Sequence, residues 1–447
     1  MNYRQVHFVG IKGTGMSALA QILVANGVHV TGSDVSERFP TDAALAQAGI
    51  KPLVGFAPEN VGSPDLVVVS AAYGADNPEL AEAQRRRIPV VSYPEFLAEL
   101  VRGKRGIAVA GTHGKTTTTA LIGRVLQEAG LDPQAVIGSG QALAGRGEFL
   151  VVESCEYRRH FLNYDAEIAV VTSVEMDHPD YFRDLNDVQR AFEEFAARLN
   201  PDGLLVVCGD DPRARALSTA ARKVTYGFGG ANDFRAGDLE TVNGTTAFTV
   251  WQHGRELGRF ALHIPGRHNV LNSLAAICIA TYLGIEPESI ARALRGFYGV
   301  SRRFEYKGTY RGALIYDDYA HHPTEVETTI RGAREWFPDR RLRVAFQPHT
   351  YSRTRSLLRE FADSLSQADF VILASIFASA REQSGAGVSS EDICRLMPGY
   401  PETVKYLPTY EMIEEYLAGE LGERDLLLTM GAGNLYKVAE ALANRGR

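Results

Sequence analysis

Short, wholly apolar runs alternate with longer stretches in which apolar residues recur every three or four positions. This is the pattern of parallel strands buried on both faces and covered by helices, so the fold class expected is α/β. A first unit reads as a strand over Gln5–Gly10, a glycine turn, a helix over Gly15–Asn26, strands over Val28–Thr31 and Leu66–Ser70, and the segment Ile88–Ser92, ending near Arg102. The charged stretch Arg102–Arg105 precedes a fresh buried strand, Ile107–Ala110, and a second glycine loop, which puts a boundary there. The second unit carries strands at Phe149–Val152, Ile168–Thr172 and Leu204–Val207. An alternating, Gly- and Thr-rich region over Thr225–His263 follows, read as smaller antiparallel strands, then helices over Asn269–Leu283 and Pro287–Arg295. After Arg303 a third pattern runs: strand Ala313–Tyr316, helix to Trp336, strand Arg343–Phe346, helix to Gln367, strand Phe370–Ala374, strand Leu426–Thr429 and a closing helix. The expectation is three α/β domains, 1–103, 104–305 and 306–447, with two clefts between them.

Composition narrows the partners. The 447 residues carry a net charge of −7, which supplies no basic surface for a nucleic-acid backbone. The longest apolar stretches, such as Phe370–Ala380, fall short of the roughly 18 residues of a membrane span. The start of the chain lacks a secretory apolar core, so a cytoplasmic location is expected. Four cysteines, none in a CxxC pair, give neither a disulfide framework nor a zinc site. Only eight of the 47 basic residues are lysines, which makes a lysine in a glycine loop conspicuous.

Gly111-Thr112-His113-Gly114-Lys115-Thr116-Thr117 follows a buried strand and opens a helix, the setting of a phosphate-binding loop. Backbone N–H groups would wrap phosphates, Lys115 would meet the β and γ phosphates, and Thr116 would bind Mg²⁺. The full pattern has glycine where this chain has Val109, and the Gly-Lys-Thr core is intact. Gly10-Ile11-Lys12-Gly13-Thr14-Gly15 is a weaker glycine turn, serving either a pyrophosphate or a tight turn, with Asp34 placed to meet ribose hydroxyls. Glu153 and Glu156 stand past one strand end and His178 past another, where α/β folds put ligands; carboxylate and imidazole suit Mg²⁺ or Mn²⁺.

His268, Asn269 and Asn272 open a helix, either capping it or reading an adenine edge. Arg302 and Arg303 close the second unit, within reach of phosphate or as solvated surface. In the third unit, Asp317-Asp318-Tyr319-Ala320-His321-His322-Pro323 and Gln347-Pro348-His349-Thr350-Tyr351-Ser352-Arg353 each follow a buried strand. Both clusters therefore leave one sheet edge, as at a polar-substrate site.

These motifs, with Ser70-Ala71-Ala72, Asp76-Asn77-Pro78-Glu79 and the Gly431-Ala432-Gly433-Asn434 loop in the same order, resemble the Mur ligases of peptidoglycan synthesis over essentially the whole chain. The resemblance is to the members that add L-alanine. It implies a Rossmann-like UDP-sugar-binding domain, a central P-loop ATPase-like domain and a C-terminal Rossmann-like domain that admits the amino acid. It further implies Lys115 and Thr116 on ATP phosphates and Mg²⁺, Glu153 and His178 as metal ligands, and His268, Asn269, Asn272, Arg303 and Asp318 around ATP. Tyr319, His321, His349 and Arg353 would face the amino acid and reacting centre. Gly13, Thr14, Gly15, Met16, Asp34, Ser70 and Ala71 would serve the UDP-sugar. Glu156 stands in a segment, Glu153–Tyr157, that departs from the common form, and Thr350 replaces an arginine of some relatives. No lysine lies between Lys115 and Lys223, so the carbamylated lysine of several sister ligases should be absent.

The reaction implied is ATP-dependent joining of L-alanine to the lactyl carboxylate of UDP-N-acetylmuramate through an acyl phosphate, by a monomer or weak homodimer without nucleic-acid or membrane partners. His321 is the candidate base for the alanine ammonium. The rivals are a recycling ligase that attaches a tripeptide to the same sugar, a NAD-dependent dehydrogenase and a non-catalytic nucleotide-binding regulator.

Overall fold

The computed structural model describes residues 3–242, 244–378 and 387–446. Three sheets follow one another. The first has five parallel strands, β1 (Gln5–Val9), β2 (His29–Asp34), β3 (Leu53–Val54), β4 (Leu66–Val69) and β5 (Val90–Ser92), in the order 3-2-1-4-5.

The second sheet contains β6 (Arg105–Ala110), β7 (Gln134–Val136), β8 (Ala142–Ala144), β9 (Phe149–Glu153), β10 (Ile168–Val171), β11 (Leu204–Cys208), β12 (Arg222–Gly227), β13 (Phe234–Val242), β14 (Thr245–Gln252) and β15 (Arg255–Leu262). Their order is 15-14-13-12-11-10-6-9-7-8. The expected antiparallel region is a three-stranded meander, β13 to β15, joined through β12, which runs parallel to both its neighbours. The third sheet contains β16 (Glu305–Tyr310), β17 (Ala313–Asp318), β18 (Arg341–Phe346), β19 (Phe370–Leu373), β20 (Val404–Tyr406) and β21 (Asp425–Met430), ordered 16-17-21-18-19-20 with only β16 antiparallel.

The interior strands are apolar and buried on both faces, as parallel strands under helices must be. One hydrophobic core runs without a break from the first unit into the second: Phe96, Leu97, Leu100 and Val101 of the helix Tyr93–Arg102 share it with Val152, Phe161 and Tyr164. The third unit keeps its own cores on either face of its sheet.

The structure adds helices that the sequence reading left out, and each has a local cause. Pro78–Arg85 begins at Asn77, whose side chain accepts from Glu79 N–H, with Pro at the first helical position. Leu185–Ala197 begins at Asp184 and buries Val188, Phe192 and Phe195 at helical spacing. The single helix expected up to Gln367 is two, Tyr351–Ser356 and Leu358–Leu365, because Leu357 leaves helical geometry. Among the described residues no helix is long and apolar enough to cross a membrane. Ala380, the end of the longest apolar run, lies outside the described residues.

Candidate active site

The motifs meet because each leaves the carboxyl end of a strand: β1, β6, β9, β10, β17 and β21 all end beside one of two cavities, while the segment after β18, with His349 and Arg353, lines neither and reaches the larger one through the Arg353–Asp177 ion pair. The larger, about 610 Å³, has walls from all three units. Gly13, Thr14 and Gly15, then Lys115, Thr116, Glu153 and His178, then Tyr319 and His321 line it. The other, about 500 Å³, lies between the second and third units and is lined by His113, Thr117, His268, Asn269, Asn272 and Asp318 among others. Gly114, Arg303 and Glu325 belong to both walls.

The loop between them requires its glycines. Gly111 and Gly114 have φ of +132° and +79°, and a Cβ would stand 2.0 Å from Thr172 Oγ1 at the first and 2.5 Å from Asn272 Oδ1 at the second. Among the described residues no side chain caps the helix Lys115–Glu128, so its first N–H groups are open to an anion. Lys115 Nζ donates to Gly111 O at 2.5 Å and Thr112 O at 3.0 Å and pairs with Glu156 at 3.1 Å. Burial works against that charge, but Glu156 outweighs it and holds the ammonium well above its ordinary range.

Thr116 Oγ1 donates to Glu153 Oε2 at 2.8 Å, and Gly138 N–H donates to the same oxygen at 2.9 Å. His178, with φ of +54°, stands 3.7 Å from Glu156. Thr116 and Glu153 thus form one oxygen-donor pair, while Glu156, 2% exposed, ties Lys115 to His178. In the smaller cavity, Asn269 donates to Pro265 O at 2.7 Å and Asn272 to Asn269 Oδ1 at 3.0 Å, so the two amides brace the helix entry and each other. His268 Nδ1 is buried without a hydrogen-bond partner among the described residues; burial first, then Arg331 and Arg303, push its pKa down to about 4.

The third unit contributes a linked set. Asp318 accepts from Phe304 N–H and Ala320 N–H at 2.8 and 2.7 Å, and burial raises its carboxyl to about 6 against the pull of Arg303. Tyr319 lies under the guanidinium groups of Arg302 and Arg303. Arg353 donates to Asp177 from Nε and Nη2, at 3.1 and 2.7 Å, an ion pair both of whose side chains are under a tenth exposed. The helix that aims Arg353 is capped by Thr350, whose hydroxyl accepts from Arg353 N–H at 3.4 Å, at a strained φ of +69°. His349 stacks on Phe377.

In the first unit the placement is more divided. Gly13, Thr14 and Gly15 face the large cavity, whereas Met16 is in the core, and Met16, Asp34, Ser70 and Ala71 are not among the described residues at its wall. Asp34 accepts from Lys12 N–H at 2.7 Å, Val35 N–H at 2.8 Å and Tyr73 O–H at 3.1 Å, so it pins the glycine turn. Sequence reasoning passed over Glu175, Asp177 and Glu325. The first two stand three positions and one position before His178, and Glu325 follows His322 at the three-residue spacing of a capping box.

Family models describe the three units in order: "Mur ligase family, catalytic domain" over residues 5–105, "Mur ligase middle domain" over 109–280 and "Mur ligase, glutamate ligase domain" over 302–433. The UDP-N-acetylmuramate–L-alanine ligase of Desulfitobacterium hafniense (strain Y51) is 49% identical over 98% of this chain and 99% of its own length. That of Desulfatibacillum aliphaticivorans is 42% identical over 98% of each. The crystal structure of UDP-N-acetylmuramate-alanine ligase from Thermotoga maritima superposes with a TM-score of 0.84 at 28% identity, covering 99% of this chain and 98% of that one. A murein peptide ligase from Psychrobacter arcticus gives 0.73 at 25%, over the same shares.

Proposed function

The chain belongs to the Mur ligase family, and from that premise we propose that it uses ATP to join L-alanine to the lactyl carboxylate of UDP-N-acetylmuramate in peptidoglycan precursor synthesis. The observation that carries the reading is the 610 Å³ cavity, where the first unit's glycine turn, the Lys115 loop and the Tyr319–His321 cluster share one wall. Residues 1–103 take the UDP-sugar, 104–305 ATP and 306–447 the amino acid. The enzyme works in the cytoplasm as a monomer or weak homodimer on small molecules alone, without membrane or nucleic acid.

Residues in place fit ATP: a glycine cradle with uncapped N–H groups, a charged lysine, and a buried imidazole nitrogen of His268 left over for a base or ribose contact. Thr116, Glu153 and His178 would hold Mg²⁺, and the oxygen pair Thr116–Glu153 suits a hard cation. When bound, the ion supplies positive charge beside the transferring phosphoryl group.

The γ-phosphoryl moves to the lactyl carboxylate, and Lys115 offsets charge as two anions approach. Closure of the third unit keeps water from the acyl phosphate. The alanine amine then displaces phosphate. Arg353 receives the alanine carboxylate in competition with Asp177, and His349 flanks it.

The test is phosphate release with UDP-N-acetylmuramate and, in turn, L-alanine, glycine, L-serine and a peptidoglycan tripeptide. L-alanine should be used best, with glycine poor but detectable, since a methyl group is worth only about 1–3 kcal/mol of discrimination. Preference for the tripeptide, or no release with any acceptor, would overturn the reading.

A further inference from the structure

Glu325 is the third residue of the helix Pro323–Trp336, where a capping box uses its carboxylate on the backbone. It does so here, accepting from His321 N–H at 3.0 Å and His322 N–H at 3.4 Å. An N3 glutamate with only that task stands in solvent. This side chain is 11% exposed and reaches both cavities, with one oxygen 3.3 Å from His113 Nδ1 and 3.8 Å from an Arg303 nitrogen, and the other 3.2 Å from His321 Nδ1.

His321 Nδ1 also lies 3.0 Å from the carbonyl oxygen of Tyr319. A carbonyl has no proton to give. Neither has the Glu325 carboxylate, which the neighbouring His321, His113 and Arg303 hold ionised despite its burial. Facing two acceptors, Nδ1 must carry the ring's hydrogen, and Nε2 keeps its lone pair. The ring itself is at the wall of the large cavity. Burial, ahead of the repulsion from Arg353, keeps it neutral.

The geometry points to Glu325 as a positioning residue that fixes His321 as the Nδ1–H tautomer, making Nε2 the acceptor of the proton given up by the incoming alanine ammonium. The inference rests on the ligase reading above. Nε2 takes one proton, which frees the nitrogen's lone pair. That pair forms the N–C bond to the acyl carbon while the C–O bond to phosphate breaks, its electron pair leaving with phosphate. The second N–H proton goes to the departing phosphate, and the imidazolium formed at His321 faces Glu325 until it loses its proton to water. The same carboxylate touches the phosphate loop through His113 with its other oxygen, so one side chain links the His321 ring to that loop.

Glu325→Gln tests this with the full chain. Gln keeps an oxygen for the cap but can also donate to His321 Nδ1, which frees the ring to take the other tautomer. Alanine ligation should fall roughly 10²-fold in kcat, the usual worth of a general base, with KM for ATP and UDP-sugar within a few-fold. ADP formation in one turnover without alanine should persist. Hydroxylamine, an amine largely unprotonated at neutral pH, should discharge the acyl phosphate equally well in variant and wild type. Glu325→Asp should recover part of the loss. Equal loss with alanine and hydroxylamine, or loss of the ADP-forming step, would overturn the proposal. Should Glu325→Gln fold poorly, ¹⁵N NMR of the wild-type imidazoles decides alone: a His321 ring protonated at Nε2 and bare at Nδ1 refutes it. If the wild type releases no phosphate from these substrates, the ligase reading itself has failed, which is a separate result.

Discussion

The two domain junctions are built from opposite materials. Between the first and second units the seam is mainly hydrocarbon: Phe96, Leu97, Leu100 and Val101 enter the same core as Val152, Phe161 and Tyr164, with Gln21 and Ser17 donating to Gly140 O at its edge. Between the second and third it is charge and hydrogen bonds: Arg353 with Asp177, His113 with Glu325, and Thr324 O–H donating to Glu175 at 2.9 Å. A hydrocarbon seam gives up its full transfer free energy if it opens, whereas buried ion pairs exchange part of what they lose for hydration. The first junction is therefore a fixed platform, and the second is a contact that substrates can compete for. Side chains proposed to meet substrates sit on the second. Arg353 and His113, which would meet alanine and the nucleotide phosphates, are occupied by the protein's own carboxylates until a ligand replaces them.

The largest effect is expected at the phosphate loop. Lys115→Ala should lower phosphate release by about 10²-fold or more, through loss of a preorganised charge. It should also cost about 3–5 kcal/mol of stability, because Glu156 is left buried without its cation and with His178, 3.7 Å away, as the nearby partner. Lys115→Ala with Glu156→Gln should restore the melting temperature and leave activity lost. A variant with near-normal kcat would remove the loop from the mechanism.

Phe96→Ala strikes the hydrocarbon seam itself, where Phe96 is fully buried. The expected cost is about 3–5 kcal/mol in denaturant unfolding, with the first two units losing stability together and kcat of the remaining folded enzyme unchanged. Separate transitions for the two units would show that the continuous core is not a cooperative one.

Arg353→Ala strikes the polar seam, and about 2–5 kcal/mol should be lost in alanine recognition, read as a raised KM for L-alanine with KM for ATP and UDP-sugar little changed. Asp177 would then be stranded, so Arg353→Ala with Asp177→Asn should recover stability without recovering alanine binding. An unchanged alanine KM would move the amino-acid site toward His349 and His321. A smaller effect is expected at Glu153 and His178, whose Ala variants should need on the order of ten times more Mg²⁺ or Mn²⁺ for half-maximal rate. Unchanged metal dependence in both would make them structural strand-end residues.

The apolar seam and the polar seam were unequally legible in the sequence. Strands such as Ile107–Ala110 and Leu426–Thr429 announce themselves as unbroken apolar runs, and the loop Gly111–Thr117 by its residue types. Helices opened by a cap, as at Asn77-Pro78 and Asp184, carried their signal in two residues and passed unread. The partners of the proposed site residues were harder still. Asp177 lies 176 positions from Arg353, and Glu325 more than 200 from His113; nothing local marks a carboxylate as a partner for a cation on another domain. Nor does the sequence reveal that Asp34, read there as a ribose contact, holds Lys12, Val35 and Tyr73 in the folded turn.

The smallest expected effect acts on one junction and not the other. The His113 ring, 16% exposed, stands 3.4 Å from Glu175 on its own unit and 3.3 Å from Glu325 across the seam. Burial alone would lower its pKa, but the two carboxylates outweigh burial and raise it to about 9 from the ordinary 6.5. A raised pKa means that folding and docking favour the proton. The contribution is whole below about 6.5 and is lost as pH climbs through about 9, where Glu325 loses the His113 charge and keeps Arg303, the neutral His321 ring and the N–H groups of His321 and His322. Amide hydrogen exchange of residues 319–326, corrected for intrinsic rates, should therefore quicken across that window, while amides of the helix Tyr93–Arg102 keep their protection. In His113→Asn the third-unit amides should be loose at every pH and show no such transition. Loosening of both junctions together in the wild type would mean that the seams are mechanically one, and that the contrast in their chemistry has no counterpart in their motion.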